Sequence, residues 1–189
     1  MTAAQNSPAM LSSRPLTTRQ LTRGALLITV ALVLSLTRLG EIPVPTPARA
    51  ITWTHVPVIL AGILLGPFMG GTVGLVWGWQ QYLTWGGSFP DPTVHVLPRI
   101  LVGVLSALAY RGVDSLLKNH SARLTAASAT AAVVGTLVNT LGVLSLAVWR
   151  GFMPLSAAVT VAALHAPFEL AVAVALTVPT VSAMHNLKG

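Results

Sequence analysis

Residues 51–85 read ITWTHVPVILAGILLGPFMGGTVGLVWGWQQYLTW, without one Asp, Glu, Lys or Arg. Gly66-Pro67 divides this apolar stretch, because a proline ring interrupts a helix interior but suits the first turn of a new one. The expectation is a helix over about 51–66, a second over about 68–85, and almost no loop between them. Gly62, Gly66, Gly70, Gly74 and Gly78 recur every fourth residue. Four-residue spacing puts them on one ridge, which is expected to let helices 2 and 3 approach closely, as small residues do between membrane helices.

The rest of the chain agrees with a bilayer setting. Of 189 residues, 53% are hydrophobic and only 8% charged, and mean hydropathy is +0.75. Soluble domains carry roughly 25% charged residues, so a water-soluble fold would leave apolar surface uncovered. A span needs roughly 20 residues, which leaves room for five or six spans and no separate soluble domain. The net charge of +7 does not point to nucleic acid, since the basic residues gather at the ends of apolar runs. With no cysteine, disulfides, thiolate catalysis and sulfur-ligated zinc are excluded.

Residues 1–20, rich in Ser, Thr, Pro and Ala, read as a mobile polar tail, and residues 21–189 as one six-helix membrane domain. Gly24 to Leu36 forms helix 1. It has the outline of a signal peptide, with Ala48-Arg49-Ala50 resembling a cleavage site, but that triplet lies about eleven residues beyond the apolar run, long for a cleavage region. Three prolines make 39–50 an extended loop. Helix 4 is expected over about 98–111 with Pro98 at its start, helix 5 over 124–149, and helix 6 over 155–184 after a turn at Gly151 to Pro154.

An even number of spans puts both termini on one side. Arg14, Arg19, Arg23, Arg111, Lys118, Arg123 and Lys188 fall there, against Arg38, Arg49 and Arg150 on the other. The positive-inside rule makes the termini cytoplasmic and the loops at 39–50, 86–97 and 150–154 external. The expected fold is therefore an all-α integral membrane protein, six transmembrane helices in a compact bundle.

A charge at mid-bilayer costs roughly 2.5 to 3.5 kcal/mol, so polar residues within spans are the first candidates for function. Asn139 and His165 each lie about ten residues below an outer helix end, about 15 Å deep. Glu169 is one turn below His165 on the same face. His55, Gln80, Gln81 and Arg99 sit in outer turns, and Trp85 closes helix 3. All share one half of the membrane, suggesting an outward pocket walled by helices 2 to 6. Each also has a structural explanation: a self-satisfied His165–Glu169 pair, a snorkelling Arg99, an interhelical bond at Asn139, a loop-fixing His55. On helix 1, Ala25 and Thr29, then Ala31 and Ser35, repeat at four residues and suit internal packing or a membrane partner.

The chain has no Gly-x-x-x-x-Gly-Lys-Ser/Thr phosphate loop, His-Glu-x-x-His zinc motif or Gly-x-Ser-x-Gly elbow. No catalytic residue, metal or bound cofactor is expected, and ATP hydrolysis would fall to another chain. A self-sufficient ion-coupled carrier with Glu169 as coupling site is one alternative, and a membrane enzyme using His165 and Glu169 another.

Thr54-His55-Val56-Pro57-Val58-Ile59, leading to Leu65-Gly66-Pro67 and a glycine-rich hairpin, resembles the substrate-binding S components of energy-coupling factor (ECF) vitamin transporters. Pro98-Arg99-Ile100-Leu101-Val102-Gly103 and Gly135-Thr136-Leu137-Val138-Asn139-Thr140 follow in the same order and resemble the pantothenate type most. The likeness covers about residues 20–184. It implies a capture subunit in a prokaryotic plasma membrane, working with a transmembrane coupling subunit and two cytoplasmic ATPases that use the ATP. It also implies that small residues of helix 1, here Ala25, Thr29, Ala31 and Ser35, meet the coupling subunit. Arg99 would take the carboxylate of pantothenate, with Asn139 and His165 on its hydroxyls and amide. On helix 6 the chain departs from the family's Asn-Gly-Ile-Pro-Glu, reading His165-Ala166-Pro167-Phe168-Glu169. A heterocyclic vitamin stacking on Trp85 or Trp53 is the other ligand class.

Overall fold

A reciprocal cap starts the first helix: the Thr17 hydroxyl accepts from the Gln20 N–H, and the Gln20 side chain accepts from the Thr17 N–H. The computed structural model describes residues 17–45, 50–85, 89–117 and 120–186, except the side chains of Trp85, His120 and Ser121. In chain order the elements are α1 (Thr18–Leu36), β1 (Glu41–Pro43), β2 (Ala50–Thr52), α2 (Val56–Leu65), α3 (Pro67–Trp85), α4 (Pro92–Leu116), α5 (His120–Trp149) and α6 (Leu155–Asn186). Of the polar tail expected over 1–20, residues 1–16 lie outside the described residues.

Among the described residues, α1, α4, α5 and α6 are long and apolar enough to cross a membrane. At 10 residues α2 is about 15 Å long, half a bilayer core. It ends at Gly66, whose φ of 94° lets the chain reverse directly into Pro67. The bundle has an apolar core that includes Val58, Ile59, Val73 and Val102, but it also buries polar side chains and exposes large apolar ones. Ser35, His55, Ser106, Ser128, Thr136 and Thr177 are buried, whereas Leu26, Val33, Leu83, Leu164 and Phe168 are exposed. Small and polar residues join helices in lipid because apolar side chains gain nothing by leaving it.

Several expected boundaries moved: α1 starts at Thr18 rather than Gly24, α4 ends at Leu116 rather than about 111, α5 starts at His120 rather than about 124, and two further shifts bear on the site. Helix 2 begins at Val56 rather than 51, because residues 50–52 pair antiparallel with β1, Ile42 opposite Ile51, and Pro57 belongs in a first turn. Glu41–Pro43 and Ala50 of the expected loop thus belong to a small hairpin, and its residues 46–49 lie outside the described residues. Helix 4 begins six residues before Pro98. Asp91 is the better start, since its side chain accepts from the Thr93 N–H at 2.8 Å and Pro92 follows it. That bond holds the Asp91 carboxyl below its ordinary range, and its other oxygen meets Arg150 at 2.9 Å. The anchor ties α4 to the turn before α6.

The glycine ridge serves α4 more than the expected pairing of helices 2 and 3. A Cβ on Gly78 would meet His95 O, one on Gly74 Arg99 O, and one on Gly70 Gly103 O. Four residues back on α3 matches four forward on α4, so the two backbones touch at three successive turns. Gly62 of α2 meets the same Gly103 carbonyl. Arg99 therefore sits on a stretch of helix held directly against its neighbour.

Candidate functional site

Where α1 ends and α4 begins, a cavity of about 550 Å³ opens beneath the β1–β2 hairpin. The volume falls in the range of small-molecule sites, roughly 300 to 1,000 Å³. Its walls come from α3 through α6, and its rim from Arg38, Glu41, Pro43, Ala50, Thr52 and Phe89. No group of three His, Asp or Glu among the described residues could hold a metal ion.

Arg99 is the buried cation of this cavity, 8% exposed. Pro98 prepares its place. Lacking an N–H, Pro98 cannot bond the Val94 carbonyl four residues back, and Arg99 Nη1 donates to that carbonyl instead, at 3.2 Å. Behind the guanidinium lies the buried Trp77 ring, 5.2 Å from centroid to Cζ, a cation–π contact. No carboxylate of a described residue lies in ion-pair contact with Arg99, although the Glu169 charge acts on it across the cavity, and its Nε has no hydrogen-bond partner. A buried guanidinium left so is poised for an anion.

Two more lining residues carry buried atoms without partners, Asn139 Oδ1 and His95 Nδ1. His95 Nε2 lies 3.0 Å from Phe89 O. A carbonyl only accepts, so Nε2 holds the proton, and in the neutral ring Nδ1 is a bare acceptor. Around Arg99 the cavity thus presents a buried cationic donor fork and two unpartnered acceptors that call for ligand O–H or N–H groups, with the hydrogen-bonded Glu169 carboxylate on the same wall.

Glu169 and His165, whose charges also act on each other, both grip the hairpin. Glu169 Oε1 accepts from the Thr52 N–H at 2.9 Å and Oε2 from the Thr140 hydroxyl at 2.7 Å, while His165 bonds the Ala50 backbone. One helical turn of α6 advances about 6 Å and two residues of β2 about 6.6 Å, so the His165–Glu169 spacing matches that of Ala50 and Thr52. Charge-assisted bonds of this type are worth roughly 1.5 to 3 kcal/mol. We expect Glu169→Ala to accelerate amide hydrogen exchange at Thr52 by about tenfold or more, and Thr140→Val, which spares the Thr52 bond, by less. Unchanged exchange at Thr52 in Glu169→Ala would mean that other contacts hold the hairpin.

Of the residues expected at the site, Gln81, Arg99, Asn139, His165 and Glu169 line the cavity. Gln81 also donates to the Ser35 hydroxyl at 2.6 Å, joining α3 to α1. His55 does not line it. Thr136 commits its hydroxyl proton to Ala132 O at 2.9 Å, so it accepts from His55 Nε2 at 3.0 Å, and the pair is an α2–α5 fastening. Gln80 bonds Thr84 on its own helix, and the Trp85 side chain lies outside the described residues. The helix 1 set splits: Ala31 and Ser35 are buried inside the bundle, whereas Ala25 and Thr29 are exposed. Six residues from 25 to 31 turn the helix by about 600°, so the two pairs occupy different faces.

Sequence reasoning missed His95, Thr140, Phe89, Arg38 and Glu41, all on the cavity wall. His95 was legible in principle, one turn before Arg99, once Asp91-Pro92 is taken as the start of α4. No curated protein matches the chain. The family described as ECF transporter, substrate-specific component matches residues 19–181, from the first turn of α1 almost to the end of α6, and the chain therefore belongs to that family of membrane transport subunits.

Proposed function

We propose that the chain is the capture subunit of an ECF vitamin importer and that its ligand is pantothenate or a precursor of the same chemistry. In this reading all six helices span or line a prokaryotic plasma membrane, both termini are cytoplasmic, and the cavity opens outward. The loaded bundle delivers its ligand to a coupling subunit driven by two ATPases, which use the ATP. The chain itself binds no cofactor and catalyses nothing.

The observation that carries the reading is the set of unpartnered buried atoms around one cavity: Arg99 Nε, Asn139 Oδ1 and His95 Nδ1. Pantothenate supplies the complement, with a carboxylate for the guanidinium fork and an amide N–H and two hydroxyls for the acceptors. The ion-coupled alternative would need Glu169 available to a proton or sodium ion, and both its oxygens already accept hydrogen bonds.

The test is a thermal shift on the purified full chain, without ATP. Pantothenate at a hundred times its Kd should add about 2.7 kcal/mol, raising Tm by about 5 °C or more. Its neutral alcohol analogue should give a much smaller shift at the same concentration. Equal shifts would remove the role given to Arg99, and no shift with any B-vitamin or precursor would remove the capture reading.

A further inference from the structure

Arg38 is the only non-glycine residue among those described with a positive φ, 59°. It follows the Thr37 C-cap of α1, where the Arg38 N–H reaches Ser35 O at 3.4 Å and the Gly40 N–H reaches Leu34 O at 3.1 Å. Helices that end this way usually place glycine in the left-handed position, because a Cβ there crowds the following carbonyl. The backbone geometry thus argues against arginine. What the side chain gains lies at the rim of the cavity, which it helps to line beside Glu41. Burial raises the Glu41 carboxyl, and the nearby Arg38 charge partly opposes this. The two arginines that line the cavity among the described residues stand at different depths. Arg99 lies in the second turn of α4, and Arg38 is exposed where the hairpin begins.

We propose that Arg38 is the rim cation that draws an anionic ligand toward Arg99, setting the rate of capture at some expense of helix-end stability. The inference rests on the reading of the cavity as a carboxylate site. A rim charge acts through long-range attraction, so it alters association and salt dependence more than dissociation. A residue chosen only to end a helix would do neither.

The experiment measures pantothenate association and dissociation rates on the full chain in detergent, for wild type, Arg38→Gly and Arg38→Lys, at low salt and at 1 M salt. Arg38→Gly should bind about fivefold more slowly at low salt with little change in dissociation, while its ligand-free Tm rises by about 2 °C as the left-handed strain goes. Arg38→Lys should keep most of the rate, and 1 M salt should bring wild type down to the Arg38→Gly rate. An association rate for Arg38→Gly equal to wild type at low salt, or a deficit that persists in 1 M salt, would overturn the inference alone. A wild-type chain that binds no pantothenate would remove the carboxylate reading and this inference together.

Discussion

Arg99→Ala should lower affinity for a carboxylate ligand by on the order of 100-fold while leaving the ligand-free bundle folded. Losing one member of a buried charge pair costs about 2 to 5 kcal/mol, and about 3 kcal/mol corresponds to that factor. The ligand-free protein should feel the change far less. Without ligand the guanidinium is buried with no carboxylate in contact and only the Glu169 charge at longer range, so its removal relieves a desolvation cost that offsets the loss of that attraction, the Trp77 stack and the Val94 bond. Arg99→Lys should recover only a small part of the affinity, because an ammonium keeps the charge but loses the planar fork. Titration calorimetry beside a melting curve separates the cases. Binding within threefold of wild type would show that the ligand does not use the guanidinium, and a Tm drop matching the affinity loss would make Arg99 a structural residue.

The polar residues that proved to line the cavity were legible for a plain energetic reason. Arg99, Asn139, His165 and Glu169 stand in apolar runs where an unsatisfied polar group is costly, so each called for a partner, in the protein or in a ligand. That logic does not name the partner. His55 met the same criterion and is satisfied by Thr136 within the bundle, and Glu169 accepts a hydrogen bond from a strand 117 residues away. The six helices could be read from continuous apolar runs and from Gly66-Pro67, whereas β1 and β2 could not. Three-residue strands carry no periodicity, and their prolines say only that the segment is not helical. Taking Pro98 as the start of helix 4, in preference to Asp91-Pro92, put His95 in a loop and hid its place one turn from Arg99. The misreading of Pro98 also hid the freed Val94 carbonyl, which holds Arg99 in place.

Gly74→Ala and Gly112→Ala should move stability in opposite directions, although both put the same methyl group into a helix. Alanine is intrinsically the better helix former by up to about 1 kcal/mol, and Gly112, on the exposed side of α4, has nothing within 4 Å of an added Cβ. There the gain should appear undiminished, as a Tm rise of about 2 °C. At Gly74 the same Cβ overlaps the Arg99 carbonyl. Backbone cannot rotate aside as a flexible side chain can, so α3 and α4 must separate. Overpacking of this kind costs typically 1 to 3 kcal/mol, and a Tm drop of about 5 °C is expected. Because the displaced carbonyl belongs to Arg99 itself, pantothenate affinity should fall by about tenfold as well, which Gly112→Ala should not cause. Gly74→Leu should leave little folded protein. A rise in Tm for both alanine variants would mean that the α3–α4 seam has room to spare, and that the glycine ridge is not what fixes Arg99 in the cavity wall.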